Sequence, residues 1–176
     1  MSRILWLLGL TVGMLVATPA RAETVAPTEL LGPELYNAAG KPAPAEALKG
    51  KLVGLYFSAH WCPPCRAFTP ELIAAYKKIR AEKKPFEIVL VSADRDERSM
   101  YQYMDKTGMP WLTMKFDAQR QQALGERFSV QGIPTLVILD ETGRTVSLTG
   151  RGDVTRFGAA AYDDWARTAS PTPPAP

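Results

Sequence analysis

The sequence contains very little cysteine and histidine. Its 176 residues include two cysteines, Cys62 and Cys65, and one histidine, His60. A zinc ribbon needs four ligands, which these three side chains cannot supply. A disulfide across two intervening residues adds little stability, because the chain-entropy contribution grows with loop length. A zinc ribbon and a structural staple are therefore disfavoured, whereas a redox pair and a copper site built from two soft thiolates both stay open.

The sequence also lacks an apolar run of the roughly 20 residues that a membrane-spanning helix needs. Its longest such run extends from Ile4 to Ala17, after Arg3 and before the small-residue pattern Ala20-Arg21-Ala22. This order is typical of a secretory signal peptide that is cut after a small residue. We therefore predict a signal peptide over residues 1–22 and an exported, periplasmic protein. The alternative is an uncleaved segment that anchors the chain in the membrane.

There is no large excess of charge of either sign. The chain has 21 basic and 18 acidic residues, a net charge of +3. Residues 1–22 hold two arginines and no acid, so removing them leaves 19 basic against 18 acidic residues, or +1. No basic stripe favours nucleic acid as a partner. We expect a monomer that binds no nucleic acid.

What is present is an alternation of apolar strands and amphipathic helices over residues 23–169, followed by a Pro-rich tail at 170–176 that we expect to be disordered. Such alternation predicts one α/β domain with a central mixed β-sheet and helices on both faces. The pattern predicts strands near residues 30–36, 52–57, 87–92, 135–139 and 144–148, and helices over 63–80, 94–106, 119–128 and 154–167.

The two cysteines lie where a buried strand meets a helix. The strand at 52–57 ends just before Cys62, and the helix begins at Pro63, which places Cys62 at the helix N-terminus. There the helix dipole and free N–H groups favour a thiolate. Cys65 lies one turn further along, where it is more buried. Cys62 is thus the candidate nucleophile, and Cys65 is the candidate resolving cysteine.

The neighbours of the pair modify this chemistry. Pro63 and Pro64 suit a first helical turn, but each removes an N–H donor from the Cys62 sulfur. The N–H of Cys65 is then the main local donor. His60, two residues before Cys62, is either a modulator of the thiol or an ordinary surface residue.

The segment from Tyr56 to Arg66, which contains Trp61-Cys62-Pro63-Pro64-Cys65, resembles the nucleoredoxin and tryparedoxin branch of the thioredoxin superfamily. The segments 91–94, 109–112 and 131–136 match the same branch in order. This resemblance implies the thioredoxin fold and a cis Pro134 facing the disulfide. It also implies substrate-binding roles for Trp61, Pro63, Pro64, Ile133 and Pro134.

The chain departs from many thioredoxins at Tyr56, where they keep a buried acid. Proton transfer to Cys65 must then use water or another group. Asp94 is a candidate by position, although an N-cap role is the other interpretation. The nucleoredoxins and tryparedoxins are typically intracellular, so the predicted signal peptide also sets this chain apart.

The function predicted from these features is that of a thiol–disulfide oxidoreductase without cofactor or metal. We expect it to reduce protein or small-molecule disulfides outside the cytosol and to receive electrons from a membrane donor. The alternatives are a copper-handling dithiol protein, a disulfide oxidant or isomerase, and a binding module whose disulfide only locks its shape.

Overall fold

A computed structural model describes residues 24–170. The predicted signal peptide and all but the first residue of the predicted tail lie outside these residues, so both remain predictions. Within residues 24–170, no helix is long and apolar enough to cross a membrane.

The centre of the molecule is a seven-stranded mixed sheet with the strand order β2-β1-β5-β4-β3-β6-β7. The two long strands β3 and β4 run parallel and are buried along their whole length. Strand β6 lies antiparallel on the other side of β3, and β7 pairs antiparallel with β6. The strands are β1 (Glu34–Tyr36), β2 (Pro42–Pro44), β3 (Leu52–Ser58), β4 (Phe86–Ser92), β5 (Leu112–Met114), β6 (Thr135–Leu139) and β7 (Thr145–Ser147).

Helices cover both faces of this sheet, as the sequence predicted. They are α1 (Pro27–Leu31), α2 (Pro63–Ala81), α3 (Glu97–Thr107), α4 (Ala118–Arg127), α5 (Gly150–Phe157) and α6 (Ala161–Ala169). Successive side chains of a strand point to opposite faces. Tyr56 of β3 therefore packs with α2, α3, α5 and α6, whereas Leu55 and Phe57 pack with α1 and α4. The two apolar layers hold the sheet between them, and the predicted α/β thioredoxin fold is confirmed.

Several short elements differ from the sequence prediction. The strand predicted near residues 30–36 is present only as the three-residue strand β1, because Pro27 begins a helix, α1, that includes Leu30 and Leu31 and ends before Gly32. Strands β2 and β5 were not predicted, because three residues carry no clear periodicity. The predicted C-terminal helix is two helices, because Gly158 adopts a φ of 55° that ends α5.

Arg144 connects the β6–β7 turn to the C-terminal end of α6. Its guanidinium donates to the carbonyls of Thr168 (3.2 Å) and Ala169 (2.8 Å) and forms an ion pair with Asp140 (2.8 Å). Asp140 also accepts hydrogen bonds from the amide and hydroxyl of Thr142. Burial alone would raise the pKa of Asp140, but the hydrogen bonds from Thr142 and Arg144 outweigh it and hold the pKa below its ordinary value.

We predict that Arg144→Ala lowers the free energy of unfolding at pH 7 by about 1–2 kcal/mol, since it removes the ion pair and leaves two helix-end carbonyls without this donor. The deficit should shrink in acid. A carboxyl with a depressed folded pKa contributes stability above its unfolded pKa and loses it as pH falls through the folded pKa. Urea titrations at pH 7 and pH 3 measure both effects. Arg98→Ala on the exposed face of α3 is the control, and an equal loss in the control would contradict the prediction.

Candidate active site

Cys62 and Cys65 form a disulfide at the N-terminus of α2, with their Cα atoms 5.2 Å apart. Cys62 is the N-cap residue, and its sulfur accepts the N–H of Cys65 at 3.2 Å. Pro63 and Pro64 lie exposed in the first turn. Cys62 is 4% exposed and Cys65 is fully buried. The structure therefore places the sulfur of Cys62 at the positive end of the helix dipole, with the one local donor that the sequence predicted.

The peptide bond between Ile133 and Pro134 is cis and lies beside the disulfide. The carbonyl oxygen of Ile133 is 3.7 Å from the sulfur of Cys62, and the Ile133 side chain packs against the cluster of Ala59, Cys62 and Cys65. The cis bond that the family resemblance implied is thus confirmed. The role of Ile133 in binding a substrate chain stays a prediction.

Trp61, next to Cys62 in the chain, has a largely exposed ring. Its side chain is 57% exposed, yet its indole N–H donates to the carbonyl of Ala93 at 3.0 Å. A large apolar surface held in one orientation by a hydrogen bond loses little conformational entropy when a partner covers it. This geometry suits the docking role predicted for Trp61.

Two charged side chains hold the backbone of His60, just before Trp61. Asp94 accepts the N–H of His60 at 2.9 Å with one oxygen and the hydroxyl of Ser92 at 2.9 Å with the other. Arg66 of α2 donates to the carbonyl of His60 at 2.6 Å. The N-cap interpretation of Asp94 is wrong, because α3 begins later and Asp96 caps it through the N–H of Ser99. Asp94 is instead a buried acceptor that fixes the backbone of the loop before Cys62.

A cluster of four buried hydroxyl groups lies beneath Cys65, and sequence reasoning missed it. Thr69 donates to the carbonyl of Cys65 at 2.8 Å and lies 2.9 Å from the hydroxyl of Tyr56 and 2.7 Å from that of Tyr103. Tyr103 in turn contacts the hydroxyl of Ser58 at 3.0 Å. Polar residues at buried positions of β3 and α2 were the available signal. Burial raises the pKa of Tyr56 well above its ordinary value, so its hydroxyl stays protonated at neutral pH.

The geometry of this site has close counterparts in known proteins. A family model described as thioredoxin-like matches residues 50–145. Tryparedoxin II complexed with glutathionylspermidine is 39% identical to the chain, which covers 89% of that structure through 73% of its own length, with a TM-score of 0.67. The tryparedoxin of Trypanosoma brucei is likewise 39% identical, with coverage of 90% and 75% and a TM-score of 0.68. The chain belongs to the thioredoxin-like family.

Curated relatives of this thioredoxin-like protein are nucleoredoxins. Probable nucleoredoxin 1 of Arabidopsis thaliana is 47% identical over 115 residues, which are 65% of this chain and 20% of that protein. The nucleoredoxin of Mus musculus is 44% identical over 126 residues, with coverage of 71% and 28%. The chain therefore spans less than a third of the length of these relatives. The predicted resemblance to the nucleoredoxin and tryparedoxin branch is confirmed.

Thioredoxin-like oxidoreductases of this type act through their own cysteine pair and need no cofactor. In this chain the corresponding pair is Cys62 and Cys65. Within residues 24–170, no group of three or more His, Cys, Asp or Glu side chains is arranged to hold a metal ion. The His60 ring lies 5.7 Å from that of Tyr103, and its Nδ1 is buried without a hydrogen-bond partner in the described part of the chain. His60 is therefore a packed side chain whose backbone, rather than its ring, is braced by charged groups.

We predict that Asp94→Ala lowers the free energy of unfolding of the oxidised protein by about 1–3 kcal/mol, because the half-buried N–H of His60 and the buried hydroxyl of Ser92 lose their acceptor. Asp94→Asn retains one acceptor oxygen and should recover part of the loss. Urea unfolding measures both variants, with Asp105→Ala on the exposed face of α3 as control. Equal stability of the Ala and Asn variants at position 94 would show that the hydrogen bonds are not what the loop depends on.

Proposed function

We propose that this protein is an exported thiol–disulfide oxidoreductase that reduces disulfides of proteins or small molecules outside the cytosol. The observation that carries the proposal is the position of the Cys62 sulfur. It lies at the N-terminus of α2, accepts the N–H of Cys65 and is 3.7 Å from the carbonyl oxygen of Ile133. A thiolate at this point is stabilised by the helix, and an extended substrate chain can approach the backbone of Ile133.

The reaction begins with the reduced pair. The Cys62 thiolate attacks one sulfur of the substrate disulfide, whose S–S bond breaks and whose other sulfur leaves as a thiolate that takes up a proton. Cys62 and the substrate are then joined in a mixed disulfide. The thiol of Cys65 loses its proton, attacks the Cys62 sulfur and releases the second substrate thiol. Two electrons pass to the substrate, and the Cys62–Cys65 disulfide seen in the structure is regenerated.

The burial of the two sulfurs supports these roles. Cys65 is fully buried beneath the first turn of α2, so a substrate sulfur cannot reach it first. The exposed Trp61 immediately precedes Cys62 in the chain, and the half-buried Ile133 packs against the cluster that contains Cys62. Together they offer a surface against which a substrate docks. Tyr56 stays protonated and cannot act as a base. The proton of Cys65 therefore passes to water, to the departing substrate thiolate or to Asp94, the candidate named from the sequence.

For the cysteine roles, we predict that Cys65→Ser accumulates mixed disulfides with substrates, because attack still occurs and resolution does not. Cys62→Ser should form none and lose disulfide reductase activity. Non-reducing gels of acid-quenched samples, with hydroxyethyl disulfide turnover measured in parallel, give both results. Equal accumulation of mixed disulfides by Cys62→Ser would show that the roles are reversed. Disulfide reduction by a variant in which both cysteines are serine would place the chemistry elsewhere.

For export and the direction of electron flow, we predict that the periplasmic protein begins at Glu23 and that its cysteine pair is mostly reduced in intact cells. Helix stabilisation of the thiolate with only one N–H donor favours a potential between about −270 and −120 mV. Such a pair can reduce substrates only if a membrane donor keeps supplying electrons. N-terminal sequencing of the exported protein tests the cleavage site, and alkylation of the cysteines in intact cells tests their redox state. A pair found almost wholly oxidised would make the protein an oxidant, and an intact Met1 would replace cleavage with anchoring.

A further inference from the structure

The four hydroxyls of the cluster beneath Cys65 are completely enclosed by the protein. Tyr56, Ser58, Thr69 and Tyr103 are each 0% exposed, and they come from β3, α2 and α3. Each hydroxyl has a hydroxyl partner within 3.0 Å. Because a hydroxyl carries only one proton, the contacts around Thr69 determine which group donates in each of them.

The proton of Thr69 fixes the direction of the other bonds. Thr69 donates it to the carbonyl of Cys65 at 2.8 Å, so its oxygen can only accept at the 2.7 Å contact with Tyr103. The hydroxyl of Tyr103 therefore donates to Thr69, and it accepts the proton of Ser58 at 3.0 Å. The hydrogen bonds thus run in one direction, from Ser58 through Tyr103 and Thr69 to Cys65. Bonds aligned in this way polarise and strengthen one another in a buried site.

The turn of α2 that carries Cys65 has a weakened backbone ladder. Pro70 lies inside this helix and has no N–H, so the carbonyl of Arg66 lacks the bond that residue 70 would normally donate. The neighbouring carbonyl of Cys65 accepts the side-chain bond from Thr69 and a longer one, at 3.4 Å, from Tyr56. Side-chain hydroxyls therefore replace part of the support that the helix loses next to Cys65.

The position of Cys65 matters because its reaction is intramolecular. In the resolving step the Cys65 thiol loses its proton and attacks the Cys62 sulfur. A new S–S bond forms, the bond from Cys62 to the substrate breaks, and the substrate leaves as a thiolate that takes up a proton. The rate of such a step depends on how closely the two reacting atoms are held. A looser Cys65 slows the step, and it also favours the dithiol, since only the dithiol gains freedom.

We propose that Tyr103 is a positioning residue for Cys65 and thereby sets both the rate of the resolving step and the reduction potential of the cysteine pair. Within residues 24–170, no hydrogen bond joins Tyr103 to either cysteine, so its effect passes through Thr69. Without the Tyr103 hydroxyl, Thr69 loses a donor and Ser58 loses its acceptor. This inference rests on the proposed function and names a residue that tunes it.

The test compares Tyr103→Phe, which keeps the buried ring and removes its hydroxyl, with Tyr101→Phe on the same helix. Tyr101 is half-buried and lies outside the hydroxyl cluster. Reduced protein is mixed with excess dithiobis(nitrobenzoate), which releases one coloured thiolate when Cys62 attacks it and a second when Cys65 resolves the mixed disulfide. We expect Tyr103→Phe to slow the second phase roughly threefold, the equivalent of one ordinary hydrogen bond, and to leave the first phase unchanged. Tyr101→Phe should leave both phases unchanged.

Equilibration with glutathione redox buffers measures the potential of the same variants. The equilibrium constant for disulfide formation in Tyr103→Phe should fall by the same factor of roughly three, which raises the potential by about 14 mV at about 29.6 mV per tenfold change. Thr69→Val should show at least this change. Adding Tyr103→Phe to Thr69→Val should cause no further change, because Tyr103 acts through Thr69. Ser58→Ala, which removes the donor to Tyr103, should shift both measurements in the same direction by a smaller factor.

An unchanged second phase and potential in Tyr103→Phe, or additive effects of the Tyr103 and Thr69 variants, would overturn the inference. A variant that only loses stability in urea would also overturn it, since Tyr103 would then have a purely structural role. If Tyr103→Phe does not fold, an unchanged second phase in Ser58→Ala overturns the inference. The proposed function is judged separately by turnover of hydroxyethyl disulfide. Wild-type protein that fails there lacks the reductase role, whereas the two phases with dithiobis(nitrobenzoate) still report on Tyr103.

Discussion

Complete burial of β3 between two strands determines where the reactive groups meet. This strand pairs parallel with β4 and antiparallel with β6 over most of its length. The C-terminal ends of β3 and β4 and the N-terminal end of β6 therefore lie side by side at the same end of the sheet. These points carry, in order, the loop to Cys62, the brace formed by Ala93 and Asp94, and the cis bond at Pro134. Moving any one strand by a single residue would turn its side chains to the other face and separate the three parts.

Around this end of the sheet the protein uses two kinds of polar support. In the loop before the disulfide, two side chains of opposite charge bind the backbone of one residue. Asp94 accepts the N–H of His60, and Arg66 donates to its carbonyl. In the core beneath α2, the hydroxyls of Tyr56 and Thr69 donate to the carbonyl of Cys65. Charged hydrogen bonds are stronger and suit a loop that is partly open to solvent. In the fully buried region a charge would carry a large desolvation cost, whereas the hydroxyls of Tyr56, Thr69 and Tyr103 satisfy one another.

Much of the fold could be predicted from the sequence, because the buried strands β3, β4 and β6 and the helix α2 have strong local patterns. The position of Cys62 at the helix N-terminus followed from the same local pattern. The three-residue strands β2 and β5 could not be predicted, since they are too short to show a periodicity and are defined by their pairing, β2 with the nearby β1 and β5 with the more distant β1 and β4. The hydroxyl cluster was missed for a related reason: Ser58 and Tyr103 are 45 residues apart and meet only in the folded chain. The N-cap interpretation of Asp94 was wrong because its carboxylate instead accepts the N–H of His60, 34 residues away, a contact that exists only in the folded chain.

The two prolines of the motif tie the structure of the site to its energetics. An α-helix N-terminus normally offers several free N–H groups to an anion. Here Pro63 and Pro64 remove the first two, and the recorded donor to the Cys62 sulfur is the N–H of Cys65. Stabilisation of the Cys62 thiolate then depends on that one hydrogen bond and on the dipole of α2, whose positive end lies at Cys62. We expect a pair supported in this way to have a potential that is neither strongly reducing nor strongly oxidising. We expect the direction of electron flow to depend on which partners reach Cys62, and the exposed Trp61 and the half-buried Ile133 are the neighbours of Cys62 that can select them.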